Sequence, residues 1–165
     1  MSGRSPRKSR RAGDEDTSRT ADFEAVPDEP PVLLGHYAGP NPGEALLHAL
    51  AGCMIATLVL HAAARGIVLR GVSAEIEGDV DVRGALGLDE TVKPEFLQIR
   101  VRLNVETDCS DAELAELIDY AQEHAAVTNS LRRPVPVLLE QVRTARVFRP
   151  LLGRVRAVCE GVAET

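Results

Sequence analysis

The chain has 165 residues, of which 44% are hydrophobic and 27% charged, and its formal net charge is −6 at pH 7. That length suits one domain with a hydrophobic core, and the composition excludes collagen-like, disulfide-rich and wholly disordered proteins. With three Phe, two Tyr and no Trp, the chain is not typical of proteins that stack nucleic-acid bases on aromatic side chains.

The charge is distributed unevenly along the chain. Residues 1–12 hold five basic side chains and no acidic one, which leaves 14 basic against 25 acidic residues in the remainder. A body this acidic does not attract phosphate backbones. We therefore interpret residues 1–20 as a disordered tail. The alternative is that this basic head, together with Arg143, Arg146 and Arg149, contacts nucleic acid or an anionic membrane.

The cysteines are few and widely separated: Cys53, Cys109 and Cys159. An odd number without metal-type spacing argues against a disulfide framework and a structural zinc site, and no cofactor is expected. The basic head runs into Gly13–Asp16 instead of an apolar stretch, so no signal peptide is expected. The expected compartment is the cytoplasm.

The first predicted elements are a short strand and a long helix. Val32–Leu34 is a strand candidate after a proline-rich stretch that disfavours helix. Asn41 as N-cap and Pro42 at the first helical position predict a helix that runs to Gly66. Its body is apolar over about twenty residues, which is long enough to span a membrane. The small side chains, the histidines and the flanking strand patterns favour a helix buried all round in a soluble core.

Two stretches of period-2 alternation predict an antiparallel pair of strands. Residues 72–83 alternate apolar with mostly acidic side chains, and residues 97–106 alternate apolar with polar side chains that include Arg100 and Arg102. Opposite charges on the two solvent faces are what cross-strand pairing uses. A glycine-rich loop, residues 84–94, joins them.

The C-terminal third predicts a helix, an edge strand and a helical extension. Ser110–Glu113 is a capping-box sequence, and the helix that it opens should end near His124. Val135–Leu139 contains a proline and therefore suits an edge strand. Residues 141–160 have helical spacing broken by Pro150. The element order predicts an α+β fold, with a tail at 1–20, a domain at 21–140 and an extension at 141–165.

The thiols are the groups that could carry chemistry, since no phosphate-binding glycine loop, zinc-protease helix or nucleophile-elbow serine occurs. Cys53 lies in the middle of the long helix. It is either a small core residue or a nucleophile that needs a cation or hydrogen-bond donor from elsewhere. We interpret Cys109 as a surface cysteine just before the second helix. His48 and His61 lie on different faces of the first helix from Cys53, and we interpret them as structural histidines.

Five segments together resemble the OsmC/Ohr family of osmotically inducible and organic-hydroperoxide-resistance proteins. Gly39–Met54 resembles the central helix of that family, and Ala121–Leu131 is similar to its second-cysteine region. Asp28–Gly35 and Leu69–Val72 fit as well, as do residues 84–99. The resemblance extends over about residues 22–138.

The resemblance implies a two-cysteine thiol peroxidase in an intertwined α+β homodimer, with an antiparallel sheet packed on a long buried central helix. By this match Cys53 is the attacking thiol. Glu44 corresponds to a helix glutamate that orients an activating arginine, although closing the helix cap is an equally open role. The second cysteine falls at Ala125, and no arginine can be carried over, which leaves Arg65 and Arg100 as possible donors.

These departures leave two functional interpretations. The first is a single-cysteine peroxidase that reduces organic hydroperoxides, uses an external thiol, and forms a homodimer without a nucleic-acid or membrane partner. The second is a non-catalytic protein of the same fold that binds a small molecule or has lost activity. The homodimer would cover the apolar helix; the alternative is that residues 141–160 fold back over it.

Overall fold

The computed structural model of the chain describes residues 26–133 and 135–141. They form an α+β fold, as predicted. The basic head, Cys159 and, apart from Gln141, the predicted 141–160 helix with its arginines lie outside the described residues. The elements in chain order are a 3-10 turn (Pro31–Leu33), α1 (Pro42–Ala64), β1 (Leu69–Val80), α2 (Val82–Ala85), β2 (Phe96–Thr107), α3 (Asp111–His124) and α4 (Ala126–Arg132).

The segment 26–41 folds around one buried carboxylate, that of Asp28, which is 3% exposed. The backbone N–H groups of Glu29, His36 and Ala38 donate to it over 2.9, 3.0 and 2.8 Å. The bond from Ala38 contributes most to holding the pKa of Asp28 below its usual value, and burial opposes it. A charged side chain therefore organises this segment.

The predicted strand at Val32–Leu34 is wrong. Pro30 and Pro31 begin a single 3-10 turn there, and the N–H of Leu34 donates to the carbonyl oxygen of Pro31 over 3.0 Å. Leu34 takes a left-handed φ of 67° and is exposed. The two prolines set the backbone, so three apolar residues in a row were a misleading strand signal.

The long helix α1 has its predicted ends, since it runs from Pro42 to Ala64. Gly66 follows with φ +72°, a conformation that favours glycine. By length and composition α1 could cross a membrane, a test that the core helix of a soluble protein passes equally. The prediction that α1 is buried on all sides is wrong within the described residues. The buried residues of α1 are Leu50, Ala51, Met54, Leu58 and Ala62.

The antiparallel hairpin of β1 and β2 confirms the charge-pairing prediction. Glu75 lies opposite Arg102, and Glu77 lies opposite Arg100. Carboxylate oxygens of these pairs lie 2.8 and 3.3 Å from the guanidinium nitrogens. The apolar side chains of both strands point the other way, towards the helices.

A bulge at one end of the hairpin corrects the predicted inner face. Asp79 pairs with Gln98 but Val80 pairs with Phe96, so Leu97 has no partner and is 64% exposed. At the same end, a Cβ on Gly78 would lie 2.6 Å from the Phe96 ring. Because Gly78 has no side chain, the Phe96 ring can pack directly against its backbone.

The α3 start confirms the capping box. Ser110 Oγ accepts from the Glu113 N–H over 3.3 Å, and the Glu113 carboxylate accepts from the Ser110 N–H over 3.0 Å. The Ser110 hydroxyl also donates to the Glu113 carboxylate over 2.7 Å. This bond contributes most to lowering the pKa of Glu113, followed by the bond from the Ser110 N–H. The side-chain amide of Asn129 in α4 then donates to the carbonyl oxygens of Glu123 and Ala125, which ties α4 to the end of α3.

The predicted edge strand at Val135–Leu139 is not formed. Residues 135–141 have no regular secondary structure, and residues 137–139 are 87–97% exposed. Within the described residues the sheet has only β1 and β2, and this segment pairs with neither.

The apolar interior between α1, the hairpin, α3 and α4 divides into two clusters. The core cluster consists of Leu58, Ala62, Leu117 and Ala121 and joins the second half of α1 to α3. The cysteine cluster consists of Leu50, Met54 and Ala125, with Cys53 packed against it. Both rest on the inner face of the hairpin.

Candidate active site around Cys53

Cys53 lies half-buried in the middle of α1. It packs against the cluster formed by Leu50 and Met54, its neighbours along the helix, and Ala125. Within the described residues its Sγ has no hydrogen-bond partner. The nearby hydroxyl of Thr57 donates to the carbonyl oxygen of Cys53 over 2.8 Å and thus serves the helix backbone.

The cysteine cluster brings together two positions that are far apart in sequence. Ala125, fully buried between α3 and α4, is where the resemblance places a second cysteine. Its side chain meets the same apolar groups as the Cys53 thiol. The fold therefore brings position 125, with its methyl side chain, into the cluster against which Cys53 packs.

Neither of the two arginines considered as donors lies at Cys53. Arg65 directly follows the end of α1, twelve residues after Cys53, about 18 Å at 1.5 Å per residue. Its guanidinium pairs with Glu116 over 3.3 Å and lies 4.5 Å from the Tyr120 ring centre. Arg100 is on the solvent face of β2, paired with Asp79 over 2.5 Å, whereas the cysteine cluster packs on the opposite face. That ion pair, above all its hydrogen bond, lowers the pKa of Asp79.

The other predicted site residues are not gathered at the thiol. Glu44 is exposed in the first turn of α1, about 14 Å along the helix axis from Cys53. Cys109 is half-buried before α3 and is not part of the cysteine cluster. His61 packs edge-on against Tyr120, with ring centres 4.8 Å apart, and His48 is exposed. Both histidines are therefore structural or surface residues within this chain.

An open groove of about 1050 Å³ lies beside the cysteine cluster. Its apolar walls come from α1 and the inner face of β2 and share Leu50 and Met54 with the cluster. Glu95 and Gln98 are polar residues of this lining. Helices α3 and α4 add three more polar side chains, Gln122, Thr128 and Arg132.

Sequence reasoning missed these three polar residues. Thr128 and Arg132 lie within or next to the segment that resembles the second-cysteine region. The signal in that segment is the position of the second cysteine, and no sequence pattern marks the polar side chains one and two helical turns further on. Among the described residues, no group of three or more His, Cys, Asp or Glu side chains could hold a metal ion.

The family model for OsmC-like proteins matches residues 35–140, most of the chain. The chain belongs to the OsmC-like family. The matched region contains α1, the hairpin, α3 and α4, and so includes Cys53, Ala125 and the groove. No curated protein matches the chain.

Solved structures of OsmC-like proteins have a similar fold. An OsmC-like protein from Mycoplasma pneumoniae is 24% identical with a TM-score of 0.53, over 63% of this chain and 68% of that one. An OsmC-like protein of unknown function from Vibrio cholerae is 20% identical with a TM-score of 0.50, over 61% of this chain and 64% of that one, slightly under two thirds. An organic hydroperoxide resistance protein from Legionella pneumophila is 20% identical with a TM-score of 0.47, over 64% and 71%.

This chain shares the fold of OsmC-like proteins, whereas the surroundings of its Cys53 thiol depend on residues particular to this chain. It keeps Cys53 on the central helix and has Ala125 at the second position.

Proposed function

We propose that this OsmC-like protein is a thiol-dependent peroxidase for organic hydroperoxides, with Cys53 as its only catalytic cysteine. The Cys53 thiolate attacks one peroxide oxygen; an S–O bond forms, the O–O bond breaks, and the alkoxide leaves as an alcohol after taking a proton. One external thiol then displaces water from the sulfenic acid to form a mixed disulfide. A second external thiol releases Cys53 and is itself oxidised to a disulfide.

The observation that carries this proposal is the half-buried Cys53, which packs against the cysteine cluster. Leu50 and Met54 of that cluster also line an open groove, although Cys53 itself is not one of the lining residues. A peroxidatic thiol has to be reachable by its substrate, and apolar walls such as those of Leu50 and Met54 suit the organic part of a hydroperoxide. With Ala125 at the second position, no internal disulfide can form there. The external thiol requires a reducing compartment, for which we expect the cytoplasm.

The homodimer is part of the same proposal. The side of α1 that faces away from the clusters is a continuous exposed stripe of small or apolar residues. Such a face over a whole helix is typical of an interface. We expect a second copy to cover it and to supply the cation that the Cys53 thiol needs, with Glu44 helping to orient that cation. The stripe consists of Ala45, Ala49, Gly52, Ala56, Val59 and Ala63.

A second candidate function is a non-catalytic binding protein of the OsmC-like fold. The observation in its favour is that, within the described residues, no cation or hydrogen-bond donor reaches the Cys53 thiol. Thiolate formation depends on such a neighbour. This candidate predicts ligand binding at the groove with no hydroperoxide turnover.

Turnover of cumene hydroperoxide with dithiothreitol as reductant separates the two candidates. The full chain should consume the hydroperoxide, and a sulfenic acid trapped with dimedone should be found at Cys53 by mass spectrometry. Cys53→Ser should lose turnover, and Cys109→Ser, which removes the other described thiol, should keep it. An unmodified Cys53, or turnover that persists in Cys53→Ser, would overturn the peroxidase and favour the binding protein.

A further inference from the structure

Two histidines from different helices meet beside the core cluster. His61 lies in the last turn of α1, and His124 is the last residue of α3. Their ring centres are 5.4 Å apart. Tyr120 stacks on the His124 ring, with centres 4.0 Å apart, and so holds it next to His61. The packing of α1 on α3 therefore brings together two imidazoles that are far apart in sequence.

Both imidazoles have a ring nitrogen without a hydrogen-bond partner among the described residues. His124 Nδ1 lies 2.8 Å from the Tyr120 carbonyl oxygen. A carbonyl oxygen only accepts, so Nδ1 carries the proton and Nε2 of the neutral ring keeps its lone pair. Such a bond typically orients a metal-binding histidine. No hydrogen bond from a described residue fixes the His61 ring, which can turn about its Cβ–Cγ bond to present a nitrogen.

The spacing of the two rings fits one shared metal ion. Two imidazoles that bind one tetrahedral ion at about 2.0–2.1 Å have ring centres roughly 5 Å apart, close to the 5.4 Å between His61 and His124. No third His, Cys, Asp or Glu of the described residues forms a metal-binding group with them, so water completes the coordination. Imidazole ligands suit Zn²⁺, Ni²⁺ and Cu²⁺.

The surrounding charge favours a cation. Helix α3 carries five acidic residues and no Lys or Arg. Arg65, whose guanidinium lies 4.5 Å from the Tyr120 ring centre, opposes a cation there. Its ion pair with Glu116 over 3.3 Å offsets that charge. The field of α3 therefore attracts a divalent cation to the two histidines.

We propose that His61 and His124 bind one divalent transition-metal ion, such as Zn²⁺ or Ni²⁺, between the end of α1 and the end of α3. His61 has no part at the thiol, and this role adds to its packing on Tyr120. Because the ion bridges the two helices that form the core cluster, it stabilises the folded chain. The site does not depend on the chemistry of Cys53 and applies to the peroxidase and to the binding protein alike.

Isothermal titration of the full chain with NiCl₂ tests this site. Ni²⁺ is the probe because it favours imidazole, whereas Zn²⁺ also binds thiolates. One Ni²⁺ should bind per chain. His61→Gln and His124→Gln should each weaken binding by about tenfold or more, because only one imidazole remains. Saturating Ni²⁺ should also raise the unfolding temperature of the wild type and of neither variant. His124 is exposed, so its replacement should leave the fold intact.

The chain has four histidines, and the other two provide matched controls. His36→Gln and His48→Gln remove the same group elsewhere and should leave Ni²⁺ binding unchanged. Cys53→Ser should bind Ni²⁺ normally, which separates this site from the peroxidase proposal. Absent binding by the wild type, full binding by His61→Gln or His124→Gln, or equal weakening by all four histidine variants would each overturn the shared metal site.

Discussion

The two halves of α1 lie in different surroundings. In the second half, Leu58 and its α3 partner Leu117 have no exposed surface, and the Arg65–Glu116 ion pair joins the same two helices. In the first half, Cys53 is half-buried and its neighbours Leu50 and Met54 also line an open groove. One helix therefore supplies a closed, packed region and an accessible one.

This difference separates stability from chemistry along one continuous element. A core needs close packing on all sides, whereas a reactive thiol needs a path for its substrate. Because both lie on α1, the packed half can hold the thiol in place without enclosing it. Loss of packing should thus cost most in the core cluster and least beside the groove.

Truncation of the packed half should have the largest effect on stability. Leu58→Ala leaves a cavity in a fully enclosed site and should lower the free energy of unfolding by about 3–5 kcal/mol. Met54→Ala removes a side chain that borders the open groove, so we expect a loss of about 2 kcal/mol. Urea unfolding followed by circular dichroism measures both.

The comparison of these two losses of unfolding free energy tests which region stabilises the fold. A greater loss for Met54→Ala than for Leu58→Ala would contradict the assignment of the core cluster as the stabilising region. Equal slopes of the two unfolding curves against urea would show that only stability has changed.

A charge on the exposed side of α1 should break the proposed dimer without unfolding the chain. Ala56→Glu places a carboxylate in the middle of the apolar stripe, where burial against a second copy would be costly. Light scattering should report a dimer of the 17.8 kDa chain and a monomer for the variant. Ala115→Glu, at an exposed position of α3, should stay dimeric. A monomeric wild type would refute the dimer and favour residues 141–160 as the cover.

The segment before α1 is held by hydrogen bonds to the Asp28 carboxylate, so a substitution of Asp28 should have a local effect. Asp28→Asn should speed hydrogen exchange at the His36 and Ala38 amides, because the charge that accepts their bonds is gone. The lowered pKa of Asp28 stabilises the segment above the ordinary value of 3.8. This protection should be lost as pH falls below that value. Asp119→Asn, an exposed change on α3, should leave both amides unaffected, and equal exchange in the two variants would contradict the account.

Local sequence signals predicted the elements whose determinants are themselves local. Gly66 ends α1, Ser110 and Glu113 cap α3, and the alternation of Glu75 and Arg102 across the hairpin appears as predicted. The family was also predictable, because its motifs lie in a fixed order along the chain.

What depends on tertiary contacts could not be predicted from the sequence. Val135–Leu139 has the composition of a strand but no strand beside it among the described residues. Arg65 and Arg100 were plausible donors until the fold placed them with Glu116 and Asp79. The Thr128 hydroxyl has no hydrogen-bond partner among the described residues, and no local pattern encodes that burial in α4.

The most direct test of the account is to restore a thiol beside Cys53 and ask whether hydroperoxide joins the two. Ala125→Cys places a second thiol in the cysteine cluster. Ala126→Cys, one residue further and exposed, is the matched control. After one equivalent of cumene hydroperoxide, mass spectrometry should find a disulfide between Cys53 and position 125 in the first variant and none in the second. A folded Ala125→Cys variant that forms no disulfide, or equal disulfide formation in both variants, would contradict a peroxide-reactive Cys53 beside position 125.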